Sequence, residues 1–206
     1  MSDLISKYFS SLPAEHLHKL DKLEELYAYW NRRINLISRK DMDSFVLHHV
    51  IHSLSVGQII RFKKNTVILD AGTGGGFPGI PLAIVFPECK FVLVDSIKKK
   101  IQVVENIADS LGLKNISTKW SRVEHLNIHV DFVVSRAVAP FPDLYKWTSV
   151  LIHNKSFNDL PNGIIALKGG DLSEELKDFP SSRIYNLRDY FEEKYFGEKK
   201  IVYLEL

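Results

Sequence analysis

The 206-residue sequence is short of several things, and each shortage excludes a class of protein. It has one cysteine, Cys89, so it forms no internal disulfide and no zinc site of the multi-cysteine kind. No stretch approaches the roughly 20 consecutive apolar residues needed to cross a bilayer. The opening MSDLISKYFSSLPAEH has no apolar core of a secretory signal, so no membrane partner and a cytoplasmic location are expected. Repeats and low-complexity segments are missing. With 45% hydrophobic and 25% charged residues, the chain has the usage of a globular protein rather than a disordered or fibrous one. A large excess of one charge is also missing, since 27 basic and 25 acidic residues leave +2. The surplus is unevenly placed. Residues 1–64 carry ten Lys/Arg against seven Asp/Glu, with five of the eight histidines. Such a basic front attracts phosphates in a salt-dependent way, or is simply a solvated helix surface.

What is present reads in two parts. From Pro13 to Ile34, Leu17, Leu20, Leu23, Leu26, Tyr27, Trp30 and Ile34 recur every three or four positions, as on one face of a helix. A second helix is predicted from Met42 to Ile60, with Phe45, Val46, Val50, Leu54 and Ile59 inward, after a basic joint from Arg32 to Lys40. From Asn65 the pattern changes. Short β-branched runs at Val67–Asp70, Phe91–Asp95, Ile116–Lys119, Phe132–Ser135 and Ile164–Lys168 alternate with helices centred near Ile84, Val104, Trp147 and Leu176. That alternation implies a parallel sheet covered on both faces. Arg183–Leu187 and Lys199–Leu206 have no helix between them, which favours antiparallel pairing at the edge. The expected organisation is a helical extension, residues 1–64, packed on a main α/β domain, residues 65–206.

The strongest local signal is VILDAGTGGGFPGIPL, Val67 to Leu82: a buried strand, a glycine-rich turn, then an apolar helix. Such a turn lets a nucleotide-like ligand approach the backbone at the carboxyl end of the first strand. No Gly-Lys-Ser/Thr ending marks a P-loop. A dinucleotide fingerprint counted from Gly72 would need glycine where Phe77 stands. Asp70, two residues before Gly72, suits a cationic amino-acid end better than a pyrophosphate. Asp70-x-Gly72-x-Gly74-x-Gly76 resembles the first motif of S-adenosylmethionine-dependent methyltransferases. Asp95, at the end of the second predicted strand, can accept hydrogen bonds from both ribose hydroxyls. S-adenosylmethionine is therefore the expected cofactor, in a Rossmann-like methyltransferase fold with an antiparallel last strand.

The acceptor is narrowed by chemistry. Pyrimidine C5 methylation needs a cysteine nucleophile, and Cys89 opens a strand far from the expected methyl site. SRAVAPFPDL, Ser135 to Leu144, has no Asn/Asp-Pro-Pro-aromatic motif of exocyclic-amine methylation. A ring nitrogen such as guanine N7 needs no base, which fits a chain with none evident. Taken in order, WNRRINLIS (Trp30–Ser38), HHVIHSL (His48–Leu54), DAGTGGGFPGIPLAI (Asp70–Ile84), LVDSIKKK (Leu93–Lys100), SRVE (Ser121–Glu124), VVSRAVA (Val133–Ala139) and ALKGG (Ala166–Gly170) resemble the RsmG methyltransferases, also called glucose-inhibited division protein B. That family modifies guanine N7 in the 530 loop of bacterial 16S rRNA.

The resemblance implies roles at matching positions. Gly72, Gly74 and Phe77 would contact the cofactor, with Asp70 and Asp95 holding it and Val123 and Glu124 bordering its adenine. Arg136 would lie beside both cofactor and entering base, and Arg136 and Lys168 would be catalytic. Lys99, Lys100, Arg122 and Lys168 resemble the RNA-facing set. The implied partner is 16S rRNA or the small ribosomal subunit, bound by a monomer. Where many members have Arg-His this chain has His48-His49, and His52-Ser53 stands for Asp-Ser. His48, His49 and His52 lack the H-E-x-x-H pattern, so a packed or RNA-facing helix is expected rather than a metal site. Trp30 and Phe45 fit core stripes; Phe141 is the better stacking candidate. Two alternatives stay open on the residues: a small-molecule methyltransferase of the same fold, and an RNA-binding factor with a decayed pocket.

Overall fold

The computed structural model describes residues 2–206. Seven strands form one sheet: β1 (Val67–Ala71), β2 (Lys90–Asp95), β3 (Ile116–Trp120), β4 (Phe132–Arg136), β5 (Gly163–Gly169), β6 (Arg183–Asn186) and β7 (Lys199–Glu205). Their order is β3-β2-β1-β4-β5-β7-β6. The first five run parallel, and β7 lies antiparallel between β5 and β6. Buried strands such as VILDA and GIIALKG are almost continuously apolar because both sheet faces are covered. The strand order reverses at β1, between β2 and β4. That crevice, at the carboxyl ends of the strands, is where ligands settle in such sheets.

The helices follow the sequence pattern, with two departures. α1 (Ser2–Tyr8) and α2 (Ala14–Asn31) precede a short α3 (Arg39–Met42). α2 buries Leu20, Leu23 and Tyr27 and leaves the rest of the predicted stripe half-buried. Asn31 holds the basic joint: its Oδ1 accepts from the amides of Leu36 and Ile37, and its Nδ2 donates to the Ile37 carbonyl. The predicted helix from Met42 to Ile60 changes pitch along its length. A π-helical turn over Val46–Ile51 passes into α4 (His52–Leu54) and then a 3₁₀ turn over Ser55–Gln58. Wide turns of this kind re-aim side chains and recur at functional sites. α5 (Gly79–Val85), α6 (Lys98–Ser110) and α7 (Phe141–Thr148) alternate with strands as expected.

No helix forms around Leu176, contrary to expectation. Consecutive turns replace it, with the amides of Leu176 and Phe179 bonded to the carbonyls of Leu172 and Leu176. Asp171 caps the Ser173 amide, and Pro180 stops propagation two turns later. Leu172 and Leu176 are nevertheless buried. One apolar core joins Ile5, Leu20 and Tyr27 of the helical segment to Ile68, Phe91 and Phe132 of the sheet. Cys89 fills this core at the amino end of β2, its thiol against the Lys63 carbonyl at 3.4 Å. Burial pushes that thiol up to about 11. Among the described residues, no helix is long and apolar enough to cross a membrane.

Candidate cofactor and active site

A cleft of about 850 Å³ opens over the carboxyl ends of β1, β2, β4 and β5. Its floor is the turn between β1 and α5. Gly72, Gly74 and Gly76 have φ of +67°, +57° and +99°, a region L side chains rarely adopt. A methyl group at Gly72 would also lie 2.6 Å from the Val138 side chain. The turn is fastened at both ends to one carboxylate oxygen. Oδ2 of Asp70 accepts from Thr73 Oγ1 at 2.6 Å and from the Gly79 amide at 2.8 Å. A side chain at Gly79 would put its Cβ 2.6 Å from that oxygen.

Asp70 is fully buried beneath the turn and forms no part of the cleft wall. The expected direct grip on a cationic group is therefore not its geometry, because Thr73 and the start of α5 draw the carboxylate inward. Burial pushes the carboxyl up to about 7, against the lowering effect of its two donors and of Arg136. Asp95 does face the cleft. Its Oδ2 accepts from the Gly74 amide at 2.9 Å and its Oδ1 from the Ile97 amide at 2.8 Å. Each oxygen keeps a further lone pair toward the cleft. The carboxylate thus sits where a ribose diol can be held, beside a backbone with no side chain in the way. Val123 and Glu124 line the same end.

Arg136, at the end of β4, is nearly buried, and among the described residues no carboxylate lies within 4 Å of it. Its Nη1 donates to the His48 carbonyl at 2.9 Å and its Nη2 to Nδ1 of His49, also at 2.9 Å. The guanidinium lies 5.0 Å from the centre of the Phe77 ring. Burial first, and Arg136 second, hold His49 down at about 3, so its imidazole is neutral and can accept. His48 is tied to Asp41 at 3.0 Å and stacks on Tyr195 at 3.9 Å between centroids. His52 is buried against Tyr195 and Phe196, and burial drives its pKa well below the ordinary histidine value.

The other expected residues fall in different places. Phe77 lines the floor and packs on Tyr27, Phe45 and His49. Lys168 reaches the cleft, but its ammonium pairs with Glu175 and donates to the Ala139 carbonyl at 2.7 Å. Glu175 also accepts from the Phe141 amide, so this ion pair ties the turn between β4 and α7. Lys100 and Arg122 line the rim, and Lys99 lies outside it on the exposed start of α6. Phe141 is fully buried against Phe179 and offers no stacking face, a correction to expectation. The apolar start of α7 draws it into the core.

Some residues that support or line the cleft carry little sequence signal of their own. Tyr27 donates its hydroxyl to the Gly75 carbonyl across 48 residues, and Leu36 and Ile37 overhang the floor. A hydroxyl within an otherwise Leu-rich stripe was the one available hint, since a buried Tyr needs a partner. Nothing in SRAVA announces that Ala137 adopts a φ of +53°.

The family model described as rRNA small subunit methyltransferase G matches residues 16–195. A protein of Christiangramia forsetii named ribosomal RNA small subunit methyltransferase G is 50% identical over 99% of this chain and 97% of its own length. One of the same name from Bacteroides fragilis is 48% identical over 98% and 99%. Among solved structures, an S-adenosylmethionine-dependent methyltransferase of Aquifex aeolicus superposes with a TM-score of 0.52 at 17% identity, covering 73% of this chain and 87% of that one. A precorrin-6y C5,15-methyltransferase of Geobacter metallireducens gives 0.55 at 10% identity, over 84% and 92%. At such identities these two establish the fold alone.

Proposed function

The chain belongs to the rRNA small subunit methyltransferase G family, and from that premise we propose how its cleft methylates N7 of a guanine in the 530 loop of 16S rRNA. S-adenosylmethionine supplies an electrophilic methyl group on a sulfonium. Asp95 holds the ribose, the turn from Gly72 to Phe77 bears the methionine part through its backbone, and Val123 and Glu124 border the adenine. Asp70 acts from beneath by fixing both ends of that turn. Arg136 and Lys168 face the substrate side, Lys100 and Arg122 meet RNA phosphates at the rim, and Lys99 meets them just outside it on α6. Residues 1–64 form a helical extension on the methyltransferase domain 65–206, working as a monomer in the cytoplasm on naked rRNA or the small subunit.

The observation that carries this reading is the placement of Arg136 at the end of β4, bonded to the His48 carbonyl and to His49, with no carboxylate within 4 Å of it among the described residues. N7 has a free lone pair and carries no hydrogen, so the chain has no proton to remove and needs no base. Its contribution is to place the base and exclude water. A partly buried cation can orient the neighbouring O6 acceptor of guanine, the edge arginine recognises. The target base must leave its stack to enter the cleft. The test is methyl transfer from labelled S-adenosylmethionine to undermethylated 16S rRNA, with the product mapped by borohydride and aniline cleavage, which cuts at N7-methylguanosine. A single cut in the 530 loop is expected. A folded protein that labels no RNA, or labels another atom, refutes the reading.

A further inference from the structure

Outside the cleft, one aromatic side chain is more exposed than any other among the described residues. Trp120 ends the edge strand β3 and is 60% exposed. The ring is not loose: its Nε1 donates to the Ser96 carbonyl at 3.0 Å, and the Lys98 ammonium stands 4.9 Å from the ring centroid. Ile97, 48% exposed, lies beside it in the same rim segment. Lys99 and Lys100 follow Lys98 on α6 and Arg122 follows Trp120 by two residues; among the described residues only Arg122 of these four has a carboxylate within 4 Å, Glu124 at 3.9 Å. Three of those cations occupy the first turn of α6, where positive charge opposes the helix dipole, so helix stability does not explain them.

We propose that Trp120 is a stacking platform for an unpaired nucleobase of the substrate RNA flanking the target guanine. The proposal rests on the rRNA methyltransferase reading above. The cleft wall includes the neighbouring Ile97, Ser121 and Arg122 but not Trp120, which separates the platform from the cofactor's adenine. A fixed ring flanked by cations provides both things a single strand needs, a π-face for a base and charge for its phosphates.

The experiment measures binding of a 530-loop RNA fragment and of S-adenosylhomocysteine to wild type, Trp120→Ala and Trp120→Phe. Trp120→Ala is expected to weaken RNA binding about tenfold, Trp120→Phe to stay within about threefold of wild type, and neither to change S-adenosylhomocysteine binding. The salt slope of RNA binding stays unchanged in Trp120→Ala, because no phosphate contact is lost. If wild type binds and methylates the RNA while Trp120→Ala binds it equally well, the platform is overturned and the methyltransferase reading stands. Loss of S-adenosylhomocysteine binding in Trp120→Ala assigns the ring to the cofactor and also overturns the proposal. A folded wild type that methylates neither this RNA nor undermethylated small subunits removes the reading beneath it as well.

Discussion

The wall of the cleft that comes from the sheet and the wall that comes from residues 1–64 are built by opposite means. The sheet wall presents backbone: a glycine turn whose ends are pinned to Asp70, and an Asp95 carboxylate oriented by two amides. The helical wall presents side chains and one carbonyl: Tyr27 on the turn, and His49 with the His48 carbonyl on Arg136. Backbone geometry is specified within a few residues and serves a ligand shared by many enzymes. Side-chain geometry depends on contacts 48 to 88 residues apart in sequence, and in the proposed reading it shapes what the particular substrate meets.

Breaking the seam between the walls has the largest expected effect. Arg136→Ala removes the β4 cation that bonds to the helical wall, and methylation of 16S rRNA should fall by about 100-fold, as when a preorganised charge is lost from a site. Thermal unfolding of the variant should show a folded protein, and an unchanged rate would take Arg136 out of the site. A change in the helical wall alone should do less. His49→Leu removes the acceptor that orients Arg136, and about a tenfold loss is expected. Because His49 acts through Arg136, the loss should appear in kcat with little change in KM for S-adenosylmethionine. Equal changes in both parameters would make His49 merely structural.

Tyr27→Phe sharpens the comparison by cutting the bond between the walls without touching either ligand. Losing the hydroxyl that serves the Gly75 carbonyl should cost about 1 kcal/mol in urea unfolding. No loss would mean the turn is held by the sheet alone. The sheet wall is tested through pH. Burial raises the Asp70 carboxyl to about 7, whereas in the unfolded chain it returns to about 4. The folded state therefore binds the extra proton between these values, and stability attributable to Asp70 falls as pH climbs through that window. Asp70→Asn should flatten the pH dependence of stability there. Parallel curves for wild type and variant would contradict the assignment.

The two walls also differ in how far the sequence revealed them. The parallel sheet, its antiparallel end and the Gly72–Gly76 turn were legible because they rest on local periodicity and on glycine's tolerance of positive φ. The place of Asp95 at the carboxyl end of β2 was legible from the strand pattern, and the Gly74 and Ile97 amides orient it at the cleft. Asp70 was located correctly but its orientation was not, since only the fold decides whether a strand-end carboxylate meets solvent or the start of the next helix. The Arg136–His49 pair and the Tyr27 bond join distant segments and left no trace in spacing, and the Lys168–Glu175 tie depends on the turns that replace the expected helix near Leu176. Phe141 misled for the same reason: its loop position was visible, and the Phe179 ring that covers it was not.

The claim on which all of this turns is a division of labour, with the sheet wall holding the cofactor and the seam with the helical wall placing the RNA base. Calorimetry with S-adenosylhomocysteine and with 530-loop RNA, on Asp95→Ala and His49→Leu side by side, tests it directly. The predicted result is a split: Asp95→Ala loses the cofactor product by about tenfold or more and keeps RNA, while His49→Leu keeps the cofactor product. Equal losses of S-adenosylhomocysteine in the two variants would contradict it.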